Sequence, residues 1–147
     1  MDTVVQQDRL EMTEAEWQAR CDLAALYRIT DLFGWTDTID THMTVRIPGE
    51  PKCFLINNYG DLFDEITASS LVKMDIDGNV YAKDGKFNAA GFTIHSGVYK
   101  ARPDANCVMH THTRAGTGVS VLKKGIRPIS QDALSVYDDL VYHEYGM

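Results

Sequence analysis

The chain has 147 residues, 44% of them hydrophobic and 24% charged, which indicates one globular domain with a substantial core. Its net charge of −7 argues against nucleic-acid partners, because phosphates are neutralised by basic patches and none is present. No apolar run approaches membrane-spanning length and no secretory signal is visible, so we expect a cytoplasmic protein without a membrane partner. An odd number of widely spaced cysteines predicts buried thiols rather than disulfides: Cys21, Cys53 and Cys107.

The first half of the chain predicts a helix followed by strands. Residues 1–12 are polar and aperiodic, which predicts a flexible N-terminal lead-in before a domain over residues 13–147. Thr13 and Glu16 have the spacing of a capping box, which predicts the start of an amphipathic helix that ends near Gly34. Apolar alternation and turn residues then predict two strands and one hairpin: Met43–Ile47, Cys53–Asn57 and Met74–Tyr81.

The second half predicts two more helices and two more strands. Pro103 predicts that a helix beginning at Phe92 or Thr93 ends at Arg102. The remaining elements are predicted in chain order as a strand over 107–113, a helix over 114–124, a loop over 128–137 and a strand over 140–145. This order lacks strict βαβ alternation, so it indicates an α/β or α+β layered domain with a mostly antiparallel sheet.

The motif His110-Thr111-His112 is the strongest indication of chemistry. Residues two apart on a strand project to the same side, so the two imidazoles are expected to lie side by side. Two neutral imidazoles can share one divalent cation, which a catalytic zinc site completes with a further protein ligand. The alternative is a pair of structural histidines that only bind neighbouring groups by hydrogen bonds.

Three segments around this motif carry a resemblance to a known family: Ala90–Ser96, Ala101–Ala105 and Cys107–Thr113. They resemble the class II aldolase/adducin family, and the similarity extends in order over residues 14–147. Segments that also fit are Phe33–Trp35, Thr44–Arg46, Phe54–Asn57, Ile66–Val72, Pro128–Ser130 and Tyr142–Tyr145. The amino-acid sequence of residues 90–96 most resembles the adducin-like branch of the family.

The resemblance implies a fold, a cofactor and an assembly. It implies an α/β class, as a three-layer α/β/α domain with a predominantly antiparallel central sheet, usually assembled as a homotetramer. It also implies a divalent metal, zinc first with manganese and iron as alternatives, held by His110, His112 and a third histidine. The third histidine of the family falls beyond Met147. We therefore expect a domain that is incomplete at its C-terminus, poorly soluble or strongly associated, and inactive in isolation.

Three departures separate this chain from the sugar-phosphate aldolases that it resembles. Their acid–base glutamate falls on Gly91, which can neither exchange a proton nor bind a metal. Their phosphate-binding Ser-Ser falls on Ala89-Ala90, and their Gly-Asn phosphate loop falls on Thr41-His42. A phosphorylated sugar is therefore disfavoured as the substrate.

Other polar residues complete the predicted site. His95 is the candidate catalytic group in place of the missing glutamate, with a hydrogen-bonded structural histidine as the equal alternative. Candidate substrate-binding residues are Asn57, Tyr59, Gly60 and His42, each with a simple turn or strand role as its alternative. His143 is a weaker candidate for the missing metal ligand.

Two functions follow from this sequence. The first is a metal-dependent, lyase-like enzyme that performs aldol-type carbon–carbon cleavage or decarboxylation on a small-molecule substrate. That substrate is a non-phosphorylated hydroxy, keto or aromatic acid. The second is a non-catalytic, adducin-like assembly module that has kept the fold and lost the reaction. Gly91, Ala89 and Ala90 favour the second function, and the retained pair His110 and His112 favours the first.

Overall fold

The computed structural model describes residues 12–82 and 84–143, so the predicted lead-in over 1–12 lies almost entirely outside the described residues. The chain divides into two compact units, one ending at His112 and one beginning at Thr113. The first unit contains α1 (Glu14–Leu32), β1 (His42–Ile47), β2 (Glu50–Ile56), β3 (Val72–Asp75), α2 (Ala89–Ala101) and β4 (Cys107–His110). The second unit contains α3 (Arg114–Ser120) and α4 (Gln131–Tyr137).

Helix α1 begins and ends where its capping residues predict. The Thr13 hydroxyl accepts a hydrogen bond from the Glu16 amide at 3.1 Å, which satisfies one of the free donors of the first turn. Gly34 adopts a φ of +65° directly after the helix, a conformation that costs glycine little. One face of the helix is buried, with Leu23 and Tyr27 in the core. Capping and one-sided burial together explain why the sequence predicted this element well.

The sheet has the strand order β3-β2-β1-β4, and every neighbouring pair is antiparallel. Side chains alternate between its two faces, so Met43 and Leu55 pack with α1, while Phe54 and Ile56 pack with Tyr99 of α2. Helices therefore cover opposite faces of the sheet. This arrangement confirms the predicted α/β class with an antiparallel central sheet.

Helix α2 begins earlier than predicted. The Asn88 side chain accepts hydrogen bonds from the amides of Ala90 at 2.9 Å and Gly91 at 3.4 Å, so the first turn starts at Ala89. The helix ends at Ala101, one residue before the predicted end, because Pro103 excludes helical geometry at Arg102. The candidate metal histidine His110 ends the strand that follows this helix, and His112 lies two residues further along the chain.

The second unit departs most from the sequence predictions. Helix α3 ends at Ser120 rather than near Lys124. Because no residue of this helix is buried, no packing against other elements stabilises a further turn. Residues 131–137 form α4 where a loop was predicted, because Ser130 caps the helix by accepting from the Ala133 amide at 3.1 Å. Residues 140–143 form no strand, and the rest of that predicted strand lies outside the described residues.

The prediction of buried thiols is wrong. Cys107 is exposed, because it lies on β4 at the edge of the sheet, and Cys21 and Cys53 are only partly buried. None of the three forms a disulfide. Within residues 12–82 and 84–143, no helix is long and apolar enough to cross a membrane.

Candidate metal site and buried histidine chain

The register between β1 and β4 places two histidines directly opposite each other. His42 pairs with His110 across the two strands, and their rings stack with centroids 4.7 Å apart and planes inclined by 17°. His42 is 3% exposed, whereas His110 is only partly buried. His42 therefore forms the inner wall behind His110.

His110 and His112 turn their rings toward each other at the end of β4. Their Nε2 atoms lie 2.9 Å apart, although β4 itself ends at His110 and His112 lies two residues beyond it. His112 is exposed, so the pair is open to solvent on one side. The side-by-side placement is the one that the alternation of a strand predicts.

The donor set at this pair fits a divalent cation. Two nitrogen ligands of a tetrahedral zinc, each roughly 2.0–2.1 Å from the metal, stand roughly 3.3 Å apart, close to the separation observed here. Both facing atoms are imidazole nitrogens, which suit zinc, manganese and iron. Small shifts of the two rings would let His110 and His112 hold one ion. Among the described residues, no third protein ligand for a metal is found at this histidine pair.

Behind the pair runs a chain of buried hydrogen bonds. The Nδ1 atom of His42 lies 2.9 Å from Nε2 of His95, and Nδ1 of His95 lies 2.7 Å from the Thr44 hydroxyl. The Thr44 hydroxyl in turn lies 2.9 Å from the Tyr99 hydroxyl. His95 is completely buried at 0% exposure. Any acid–base role of His95 therefore reaches a substrate only through His42.

The interior holds these histidines in their neutral form. Burial, with a smaller effect in the same direction from the neighbouring His110 and His112, lowers the pKa of His42 to about 4. Burial likewise lowers the pKa of His95 to about 3. Burial also lowers the pKa of His110, and His112 adds to that effect. Neutral imidazoles are the form that binds metals, so the cluster is ready to act as a ligand set at neutral pH.

Gly91 occupies a place where a side chain would touch His42. A Cβ atom built at Gly91 lies 3.1 Å from both Cγ and Cδ2 of the His42 ring. The ring is held in place by its contacts with His95 and His110. The acid–base glutamate of the family falls on Gly91. A side chain at that position would therefore compete with the buried ring of His42 for the same space.

We expect Gly91→Ala to destabilise the protein by about 1 kcal/mol, because overpacking outweighs the better helix propensity of alanine. In a His42→Ala background the same change should stabilise by up to about 1 kcal/mol. Gly97→Ala is the matched control, since its Cβ meets nothing within 4 Å in the same helix, and it should also stabilise. Denaturant unfolding measures all three, and an equal effect of Gly91→Ala in both backgrounds would contradict the steric coupling.

The predicted substrate-binding residues other than His42 lie on a separate loop. Asn57 accepts a hydrogen bond from the Tyr27 hydroxyl at 2.8 Å, which ties it to α1. Tyr59 is 45% exposed, and Gly60 adopts a φ of +94° in the turn that follows. Among the described residues, no hydrogen bond or ring contact joins these three to the histidines. Their substrate contacts stay a prediction, as does a metal-binding role for His143, which lies in the second unit.

Two carboxylates that were not predicted from the sequence lie beside His112. Oδ2 of Asp37 lies 3.1 Å from Nδ1 of His112, and a carboxylate oxygen of Asp40 lies within 4.8 Å of ligand atoms of both. The two aspartates belong to the turn before β1, where the Asp40 amide donates to the Asp37 carbonyl at 2.9 Å. No spacing rule links this turn to a strand some seventy residues later, so the sequence carried no signal for the contact.

An antiparallel sheet between two helices, with paired histidines at a strand end, defines an α/β domain of the class II aldolase type. The sequence profile described as "Class II Aldolase and Adducin N-terminal domain" matches residues 21–147. The chain therefore belongs to the class II aldolase and adducin family.

The proteins similar to this chain include bacterial members of the family and mammalian adducins. A Caulobacter vibrioides protein named "Putative aldolase class 2 protein" is 56% identical over 92% of this chain and 53% of its own length. Mouse alpha-adducin is 48% identical over 94% of this chain and 19% of its own length. The crystal structure of an aldolase II superfamily protein from Pseudomonas syringae superposes with a TM-score of 0.91 at 46% identity. It covers 96% of this chain and 57% of that protein. The chain thus spans about half the length of its bacterial relatives.

Proposed function

We propose that the protein is a metal-dependent, lyase-like enzyme that cleaves a carbon–carbon bond by aldol-type chemistry or decarboxylation. Its substrate would be a non-phosphorylated hydroxy, keto or aromatic acid. The observation that carries the proposal is the facing pair of Nε2 atoms on His110 and His112, 2.9 Å apart and open to solvent. Membership of a family that includes class II aldolases supports the same chemistry.

Each residue of the cluster has a distinct task in this proposal. His110 and His112 would hold the divalent metal, for which zinc is the first candidate and manganese and iron are alternatives. When bound, such a metal acts as a Lewis acid that stabilises negative charge on a substrate oxygen. His42 fixes the His110 ring by stacking, and the buried chain through His95, Thr44 and Tyr99 fixes His42 in turn. Asn57, Tyr59 and Gly60 remain candidates for contacts with the substrate.

The residues at the family's phosphate-binding positions support a substrate without phosphate. Ala89 and Ala90, which begin α2, carry no hydroxyl group to bind phosphate oxygens. His42 stands at the sequence position of the family's phosphate-loop asparagine, and its ring contacts His95 and His110. A carboxylate or carbonyl substrate needs only the open side of the metal pair. We therefore propose a small acid, rather than a sugar phosphate, as the substrate class.

Metal analysis of the natural full-length protein tests the proposal. We expect about one zinc, manganese or iron ion per chain in the unmodified protein, and strongly reduced metal in His110→Ala and His112→Ala. Asp104→Ala, which removes an exposed carboxylate paired with Arg102, serves as the control and should keep the metal. Turnover of hydroxy and keto acids by the natural full-length protein should fall in parallel in the first two variants. Equal and negligible metal content in all four proteins would refute the metal-dependent function.

A second function, a non-catalytic adducin-like assembly module, is favoured by one specific observation. The place of the acid–base glutamate is taken by Gly91, and the space beside it is occupied by the His42 ring. The 48% identity to mouse alpha-adducin is consistent with that function. Under either function we propose that the protein is a cytoplasmic homo-oligomer, because full-length members of the family are usually tetramers. Sedimentation of that protein with and without metal distinguishes the two, since a pure assembly module would associate equally well without metal.

A further inference from the structure

The two ring nitrogens of His112 have different neighbours. Nδ1 lies 3.1 Å from Oδ2 of Asp37, while Nε2 lies 2.9 Å from Nε2 of His110. An ionised carboxylate accepts hydrogen bonds and cannot donate them. A neutral imidazole carries one hydrogen on its two nitrogens, and in the neutral form of His112 the Asp37 contact places that hydrogen on Nδ1. The Nε2 lone pair of His112 is then left free.

We propose that Asp37 is a positioning residue for the metal site, a role that rests on the proposed function of the His110 and His112 pair. Its carboxylate holds His112 in the form whose Nε2 atom faces the metal and fixes the orientation of the ring. Carboxylates hydrogen-bonded to the far nitrogen of a metal-binding histidine raise its basicity and commonly change metal affinity 10–100-fold. The turn before β1 would thus complete a site whose ligands stand at the end of β4.

The same arrangement assigns the hydrogen between the two facing rings. In the neutral form of His112 with its hydrogen on Nδ1, Nε2 of His110 is the donor across the 2.9 Å contact. If His110 and His112 both held a metal through Nε2, His110 would carry its ring hydrogen on Nδ1. Asp37 therefore prepares one of the two ligands in advance, and His110 is the ligand that adjusts.

Asp40 provides the matched control for this role. It is an exposed carboxylate in the same turn, with an oxygen within 4.8 Å of ligand atoms of Asp37 and His112. No hydrogen bond between the Asp40 side chain and His112 is found in the described structure. Asp37→Ala and Asp40→Ala each remove one negative charge near the site, so their difference measures the hydrogen bond and not the charge.

Zinc affinity, measured by competition with a chromophoric chelator, tests the proposal. We expect Asp37→Ala to weaken zinc binding 10–100-fold, and Asp40→Ala to change it less than about threefold. Asp37→Asn should fall between them, because its amide oxygen still accepts from Nδ1 but without charge. Thermal unfolding of the metal-free variants should match the unmodified protein within a few degrees, since the Asp37 contact is exposed.

Long-range ¹H–¹⁵N correlation spectra of the metal-free protein give a second readout. We expect the hydrogen of His112 on Nδ1 in the unmodified protein and in Asp40→Ala, and a shift toward Nε2 in Asp37→Ala. Zinc binding through His110 and His112 with unchanged affinity in Asp37→Ala would overturn this inference while leaving the proposed function intact. Equal losses in both aspartate variants, with full binding by His110→Ala, would place the ion on the carboxylates and overturn both proposals.

Discussion

Replacement of Glu16 by alanine is expected to destabilise the protein by about 3–5 kcal/mol, because it leaves a buried cation without its partner. Glu16 and Arg20 are each 4% exposed and form an ion pair at 2.9 Å. Lys73 adds a second ion pair to Glu16 at 2.8 Å. Burial by itself raises the pKa of Glu16, but the hydrogen bonds from Lys73 and Arg20 outweigh it and lower the pKa overall.

The guanidinium of Arg20 also donates to the carbonyl oxygens of Ala68 and Leu71, so it cannot move into solvent without losing both contacts. Asp104→Ala is the control, because the Arg102–Asp104 pair at 2.7 Å is 68% and 67% exposed. Its loss should leave the stability of the protein nearly unchanged, because solvent screens an exposed pair. Urea unfolding of both variants measures the contrast. Similar costs for the buried and the exposed pair would contradict this account of how α1 is anchored to the sheet.

Acid should destabilise the metal-free protein between about pH 6.5 and pH 4.5, before most carboxylates titrate. His42 and His95 have pKa values of about 4 and about 3 in the folded protein, but about 6.5 when unfolded. Below pH 6.5 the unfolded chain therefore binds more protons than the folded one, and the free energy of unfolding falls with pH. The full contribution is present above that range and is lost progressively as pH falls toward the folded pKa values.

Each of the two histidines can contribute up to about 1.4 kcal/mol per pH unit to this slope. The double variant His42→Asn/His95→Gln removes both titrating rings while keeping polar side chains, so its stability should depend far less on pH. Urea unfolding at half-unit pH steps, with chelator present, measures the slope. Stability of the unmodified protein that stays constant down to pH 4.5 would show that these imidazoles are already solvated or protonated.

Local signals predicted much of the first unit. The capping box at Thr13 located the start of α1, and alternating apolar residues located β1 and β2. The start of α2 was missed by three or four residues, because Asn88 caps the helix without an obvious apolar period. In the second unit, α4 was missed because no buried face marks the helix.

In the candidate site, too, the contact between residues close in sequence was predicted and the contacts between residues distant in sequence were not. The spacing of His110 and His112 predicted their proximity, because the two residues lie two positions apart along one extended segment. The stacking of His42 on His110 depends on the register between β1 and β4, which sequence patterns do not reveal. The contact of Asp37 with His112 joins residues 75 positions apart. The proximity of the two histidines could therefore be predicted from the sequence, while the groups that contact them required the fold.

Zinc-edge X-ray absorption on the zinc-loaded chain, compared with the double variant His110→Ala/His112→Ala, is the most direct test of the central claim. If these two rings hold the metal, the spectrum of the unmodified protein should contain at least two imidazole ligands per zinc, and the double variant should lose them. A coordination shell made only of oxygen ligands, or the same imidazole signal in the double variant, would contradict it.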